Sequence, residues 1–185
     1  MKYAFNIIIL ALSLMACNGP AQEYNDEIAV VDSLLVQLKE YQARYALIDS
    51  TAILSQAAEI EAMSKVLHGP KADQNDKKYW TTELGPFELV YIPFNKYMND
   101  KAKIEKKLNF SQSQLLSLRK SLSDAVIDTA TASKYLLDEQ KALAEIEMLA
   151  MKRIEPTIRA QEIWEMTEEK YRAMADSISA LSINE

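Results

Sequence analysis

Apolar residues recur along most of this chain at intervals of three, four or seven, the period of one face of a helix. Ile28, Val31, Leu35, Leu38, Tyr45, Ile48 and Ala52 form the first stripe, and Ile60, Met63 and Leu67 resume it. Asp26 offers a cap and Glu27 a negative charge in the first turn, where both favour a helix. Neither Gly nor Pro occurs from 26 to 67, so the pattern predicts one helix of about 40 residues, about 60 Å long. His68-Gly69-Pro70 ends it, since Gly suits a left-handed residue just past a helix and Pro cannot continue one. The second long stripe runs from Ser133 to about Leu181 through Leu136, Leu143, Ile146, Ala150, Ile154, Ile158, Trp164, Tyr171 and Ile178. It predicts a helix of about 48 residues, about 72 Å long. Pro156 should kink it without ending it, because the stripe resumes at Ile158.

The stretch between is less regular. Asn75 or Asp76 can start a short helix through Lys77-Lys78-Tyr79-Trp80, which Gly85-Pro86 then breaks, with Pro86 suited to the first turn of the next helix. Phe87, Tyr91, Phe94 and Met98 share one helical face, and Pro93 should bend that helix. Asn109-Phe110-Ser111 offers caps for another helix with Leu115, Leu118, Leu122 and Val126 as its face. The run Asp128-Thr129-Ala130-Thr131-Ala132-Ser133 has low helix preference but no true breaker. It reads either as a turn or as part of a continuous helix.

Only three glycines and five prolines occur among 185 residues, whereas a β-rich domain needs many turns. With abundant Ala, Leu, Glu, Lys, Gln and Met, that scarcity points to an all-α protein. Two helices of such length exceed an ordinary globular domain. The expected fold is an elongated antiparallel helical bundle, or coiled-coil-like hairpin, with shorter helices between the long pair. Residues 26–185 are expected to form a single domain. The sequence shows no repeat and no low-complexity segment.

The N-terminus has a different pattern. Lys2 precedes the apolar run Ile7-Ile8-Ile9-Leu10-Ala11-Leu12-Ser13-Leu14, which is too short to span a membrane stably and has the layout of a secretory signal peptide. It ends at Leu14-Met15-Ala16-Cys17, which carries the only cysteine. This ending resembles the lipobox of bacterial lipoproteins. The resemblance covers residues 1–17 alone. It implies diacylation of the Cys17 thiol, cleavage between Ala16 and Cys17, and acylation of the new amino group. The bland alternative is a cysteine beside an ordinary cleavage site. An unpaired thiol is a liability in an oxidising compartment, however, and the end of the apolar run is where lipidation needs its nucleophile. On this reading residues 1–16 are a cleaved signal peptide and 17–25 a lipidated tether containing Gly19 and Pro20. Stable anchoring takes more than one acyl chain, so a multiply acylated Cys17 would hold the protein on a membrane. Asn18 rather than Asp after the cysteine leans, by resemblance, to the outer membrane of the cell envelope, facing either the periplasm or the outside.

Loss of Lys2 with the signal peptide takes the net charge from −6 to −7, which argues against general nucleic-acid binding. Lys96, Lys101, Lys103, Lys106 and Lys107 form the one basic cluster, read as a solvated face or as a contact for phosphates or an acidic partner. A single histidine and a single cysteine exclude the usual zinc sites. Phosphate-cradling loops and the familiar hydrolase motifs are absent, and paired acids such as Glu145 with Glu147 or Glu168 with Glu169 read as solvated helix faces. His68 fits a helix C-terminus better than a catalytic role. No enzyme activity, metal or cofactor is expected. Six of the 13 aromatics beyond residue 16 fall within 79–97. Trp80, Phe87, Tyr91 and Phe94 there are candidates for a partner or ligand surface, although an aromatic stripe at helical spacing is more often core. Two functions therefore stand: a non-enzymatic scaffold that binds an envelope protein or itself, and a small-ligand or inhibitor module using the aromatic stretch.

Overall fold

The computed structural model describes residues 24–69 and 78–180. Ala16 and Cys17, with the expected signal peptide and most of the tether, lie outside those residues, as does the helix start expected at Asn75 or Asp76. The fold is all-helical, 92% helix, with no strand among the described residues. The α-helices are α1 Asn25–Tyr45, α2 Ser50–Leu67, α3 Gly85–Ser123, α4 Thr129–Leu149 and α5 Glu155–Ala180. Two π-helical segments, Tyr79–Leu84 and Ala150–Ile154, lead directly into α3 and α5. Because α4, its π segment and α5 follow without a gap, Thr129–Ala180 is one helical run and the fold has four long helices.

The first expected helix is in fact two. After Tyr45 the ladder tightens to three-residue bonds, Leu47 N–H to Arg44 O and Ile48 N–H to Tyr45 O, both 3.1 Å. Asp49 then caps α2, its Oδ1 accepting from Ala52 N–H at 2.8 Å. No Gly or Pro marks this break. A capping Asp followed by Ser50 and Thr51 is sufficient, because a side-chain acceptor satisfies a donor that the helix start leaves open. At the other end of α2, His68 is the C-cap, and its backbone N–H reaches Ser64 O. Gly69 does not adopt the left-handed conformation expected of it. Its lack of a side chain matters for space instead, since a Cβ there would stand 3.1 Å from the carbonyl oxygens of Lys65 and Val66.

Gly85-Pro86 does not break the chain either. Proline lacks an N–H and its ring collides with the carbonyl four residues back. A π segment, with its wider turn, relieves that collision just upstream. The same device precedes Pro156, where Glu155 N–H bonds to Ala150 O, five residues back. Arg153 Nη1 donates to the Lys152 carbonyl at 3.0 Å, the oxygen that would otherwise face the proline ring. The two sites also match in burial. Residues 81–96 and 151–166 run through the same order of buried, half-buried and exposed positions, 70 residues apart. Leu84 corresponds to Ile154, Phe87 to Thr157, Val90 to Ala160 and Phe94 to Trp164. Only the proline is identical, so comparing residue identities along the chain does not reveal the repetition.

Nor is Asn109-Phe110-Ser111 a boundary, because α3 runs through it, and through Pro93, for 39 residues. The turn expected at 128–133 comes slightly earlier. Ala125 takes the left-handed conformation at φ 49°, with Ala125 N–H on Leu122 O and Val126 N–H on Ser121 O, each 3.1 Å. Those bonds form a Schellman closure of α3. Asp128 then caps α4 by accepting from Thr131 N–H at 2.8 Å and from its hydroxyl at 3.0 Å.

The chain folds into two compact units. The first comprises 24–39 and Leu108–Ala144, with a core drawn from α1 (Val31, Leu34, Leu38), α3 (Leu115, Leu118, Leu122) and α4 (Ala132, Leu136, Leu143). Tyr24 ties the start of α1 to the loop after α3, its hydroxyl donating to Ile127 O at 2.8 Å. Arg119 also forks onto Asp32 at 2.6 and 3.3 Å. The second unit comprises Glu40–Lys107 and 145–180. Its core takes Ile53, Ile60 and Leu67 from α2, Phe87, Val90 and Tyr97 from α3, and Ala160, Trp164 and Tyr171 from α5.

Candidate functional site

The aromatic stretch belongs to the second unit and mostly turns inward. Phe87 is fully buried and Phe94 nearly so, while Tyr91 is half-buried. The backbone of Trp80 lies in the first π segment. Phe87 meets Tyr171 edge-on at 5.1 Å between ring centroids and stacks with Tyr91 at 6.1 Å, geometries that aromatic pairs prefer. Tyr171 in turn donates its hydroxyl to Glu83 O at 3.2 Å, so α5 is fastened to a carbonyl of the π segment. Beside it Lys170 pairs with the Glu83 carboxylate at 2.6 Å, which holds that acid below its ordinary pKa. Tyr91 and Phe94 also line a cleft of about 340 Å³ with Ile60, Met98, Asn95 and Glu61.

A second cluster gathers where α1 gives way to α2. The buried Tyr97 hydroxyl lies 2.5 Å from Ser50 Oγ and 3.3 Å from the Tyr45 hydroxyl. Tyr45 donates to Glu105 Oε1 at 3.0 Å, and Lys101 Nζ reaches the same oxygen at 2.7 Å. Burial, with the bonds to Tyr97 and Glu105, pushes the Tyr45 phenol well above its usual range. Lys101 and, less strongly, Tyr45 lower the Glu105 carboxyl, against a smaller opposing effect of burial. A phenol held neutral beside a carboxylate held ionised makes a fixed polar network and not a proton relay. Its members come from positions 45, 50, 97, 101 and 105; the last three share one face of α3 at four-residue spacing, but no local pattern links them to Tyr45 and Ser50. Beyond that spacing the sequence offered no signal for this cluster.

Ser64, His68 and Glu88 have the composition of a nucleophile, a base and an orienting acid. Ser64 Oγ is 3.3 Å from His68 Nδ1, and His68 Nε2 is 3.4 Å from Glu88 Oε1. The Ser64 carbonyl settles the chemistry, because it lies 2.8 Å from the same Nδ1. A carbonyl only accepts, so Nδ1 must carry the proton. It therefore has no lone pair with which to take the Ser64 hydroxyl proton, and the imidazole acts as a helix cap. Among the described residues, no group of three or more His, Cys, Asp or Glu is placed to hold a metal ion.

Two of the five clustered lysines are committed to carboxylates, Lys101 to Glu105 and Lys107 to Glu145 at 2.5 Å. Among the described residues Lys96, Lys103 and Lys106 carry no such pair. A further cleft, of about 500 Å³, opens between the end of α1 and the second π segment. In the sequence Ala150 falls in an apolar stripe and Glu147 on a solvated helix face, with no sign of a cleft there. No described helix is long and apolar enough to cross a membrane. Comparison of the chain with protein-family models, with curated proteins and with solved structures finds no match.

Proposed function

We propose that this chain is a lipid-anchored, non-enzymatic scaffold of the bacterial cell envelope. Cys17 would hold it on a membrane, by preference the outer one, and its helical body would bind another envelope protein or a second copy of itself. The observation that carries this reading is Leu14-Met15-Ala16-Cys17 closing an apolar run that begins after Lys2. No cofactor enters the reading. We further propose that the helices pair antiparallel, as a bundle. In the first unit Tyr24 meets Ile127 while Asp32 meets Arg119, so one partner descends in number as the other rises. A small-ligand or inhibitor module remains the second reading, favoured by the cleft that Tyr91 and Phe94 line. The deciding experiment is affinity capture of the lipidated protein from its native envelope. The scaffold reading expects a stoichiometric protein partner or a defined self-complex. A chain recovered alone and monomeric overturns it, and recovery with a small molecule would favour the second reading.

A further inference from the structure

The 500 Å³ cleft of the second unit has an apolar interior and an acidic rim. Tyr41 and Ala43 of α1 face Ala150 and Met151 of the π segment across it. Met151 is 59% exposed and Met148, one turn earlier, 50%. The exposed Met151 thioether makes an adaptable apolar surface in the cleft, because an unbranched side chain refits to whatever it meets. Glu40, Glu147, Arg44 and Glu155 stand at the rim. The only cation among them is already spent: Arg44 forks onto Glu155, Nε to Oε1 at 2.8 Å and Nη2 to Oε2 at 2.5 Å. Among the described residues neither Glu40 nor Glu147 has an ion-pair partner. Both act on the Tyr41 phenol, which burial first, and then Glu147 and Glu40, raise above its usual pKa. Two uncompensated carboxylates thus flank an apolar slot.

We propose that this cleft docks a basic amphipathic segment of a partner protein. One large apolar side chain of that segment sits between Tyr41 and Met151, and Lys or Arg on either side of it meets Glu40 and Glu147. Charge complementarity selects this occupant over the others. A fatty acid would bring its carboxylate to a rim whose one cation is neutralised. A second copy of the mature chain, with its net charge of −7 once Lys2 is lost, would add acid to acid. A segment with an apolar stripe and flanking cations satisfies both wall and rim, as in groove-bound amphipathic helices. This inference rests on the scaffold reading and names the chemistry of the partner.

The test uses the full mature protein in a non-ionic detergent, with protein-free micelles as the blank. The probe is a labelled Leu/Lys peptide of about four helical turns, and a Leu/Glu peptide of the same length is its counterpart. Fluorescence anisotropy should show saturable binding of the Leu/Lys peptide and none of the Leu/Glu peptide. Glu40→Gln with Glu147→Gln should weaken binding by about fivefold, the effect of removing two exposed ion pairs. Met151→Lys, which puts a cation into the slot, should abolish it. Glu165→Gln with Glu169→Gln, elsewhere on α5, should bind as wild type. Circular dichroism melting checks that each variant folds, with Met151→Gln read in place of Met151→Lys if the latter melts early. Absence of saturable binding overturns the proposal. So does equal binding of the Leu/Glu peptide, or binding that all the cleft variants leave within about twofold of wild type. Capture from the envelope separates this failure from that of the scaffold reading. A partner still captured by Met151→Lys overturns the cleft alone, whereas a wild type that captures nothing overturns the scaffold reading, whatever the peptide does.

Discussion

Three carboxylates and one aromatic ring show how single residues act here. Phe87 fills the core of the second unit against Tyr171 and Tyr91, so Phe87→Ala should cost about 3 to 5 kcal/mol, as large aromatic truncations in cores do. Urea denaturation followed by circular dichroism measures it, and a loss under about 1 kcal/mol would return Phe87 to the list of surface candidates. Glu139 lies in a shallow groove of the first unit with Gln114, Ser117, Ser121 and Tyr135. Burial first, and then Asp138, raises its pKa, and it has no ion-pair partner among the described residues. A carboxyl whose folded pKa exceeds its unfolded one penalises the folded state. That penalty grows as pH rises from the unfolded pKa to the folded one and is complete above both. Glu139→Gln should therefore raise the melting temperature at about pH 7 and leave it unchanged at about pH 3, where the native carboxyl is protonated in both states. Equal effects at the two pH values would mean that packing, not charge, is what the substitution changes. Glu105 and Glu155 carry the opposite sign. Lys101 and Arg44 hold them below the ordinary range, so their contribution is lost as pH falls through their folded pKa values. His68 was legible as a helix cap because Gly69-Pro70 announces the end beside it. Tyr45 and Ser50 were not legible as partners, since only the tertiary fold brings them to Tyr97, whereas Lys101 and Glu105 follow it at four-residue spacing on α3.

Among the elements, legibility followed the breakers and their exceptions. Helix type was plain throughout, because apolar spacing of three, four and seven persists where burial later proves it, as at Val31 and Leu38, although the structure buries Leu34, and the expected Leu35 only in part. Boundaries were plain only where a breaker coincided with a real end, as at Gly69 just past the C-cap His68. Pro86 read as a break but lies inside a helical run, since a π segment upstream absorbs its ring, whereas Pro156, expected not to end its helix, lies inside a helical run in the same way. The converse held at Asp49 and Asp128, where side-chain caps start new helices without any breaker ahead of them. Ala125 is the sharpest case. It holds a left-handed conformation that normally signals glycine, and an alanine there gives no hint of a turn. An L-residue in that region costs roughly 1–2 kcal/mol, partly offset by the greater freedom that glycine has in the unfolded chain. Ala125→Gly should therefore stabilise the protein by about 0.5–1 kcal/mol, read as a higher urea midpoint at unchanged slope. A lower midpoint would show that the Ala125 methyl, which is half-buried, packs better than its backbone strains.

For the molecule as a whole, composition revealed the class and concealed the subdivision. Scarce glycine and proline foretold an all-helical chain, and the described residues contain no strand. The two compact units could not be foreseen, because α1 and α3 each contribute to both, and a stripe that crosses from one unit to the other keeps its period. The proposed anchor likewise acts on the whole protein while resting on one atom. Lipidation needs the Cys17 sulfur as nucleophile, and a serine hydroxyl, far less acidic, does not replace it. Cys17→Ser should therefore leave the chain unacylated and uncleaved after Ala16. Metabolic labelling with an alkyne fatty acid should mark the wild type and leave the variant dark, while the variant runs more slowly on a gel by the mass of its retained signal peptide. Acyl burial adds about 0.8 kcal/mol per methylene, and more than one chain is required for stable attachment. Sodium carbonate washing should thus fail to strip the wild type from membranes. The unacylated variant still carries the apolar run from Ile7 to Leu14, so membrane attachment alone does not discriminate and the label does. A labelled Cys17→Ser, or a wild type that takes no label and washes off, would remove the anchor and with it the observation on which the scaffold reading rests.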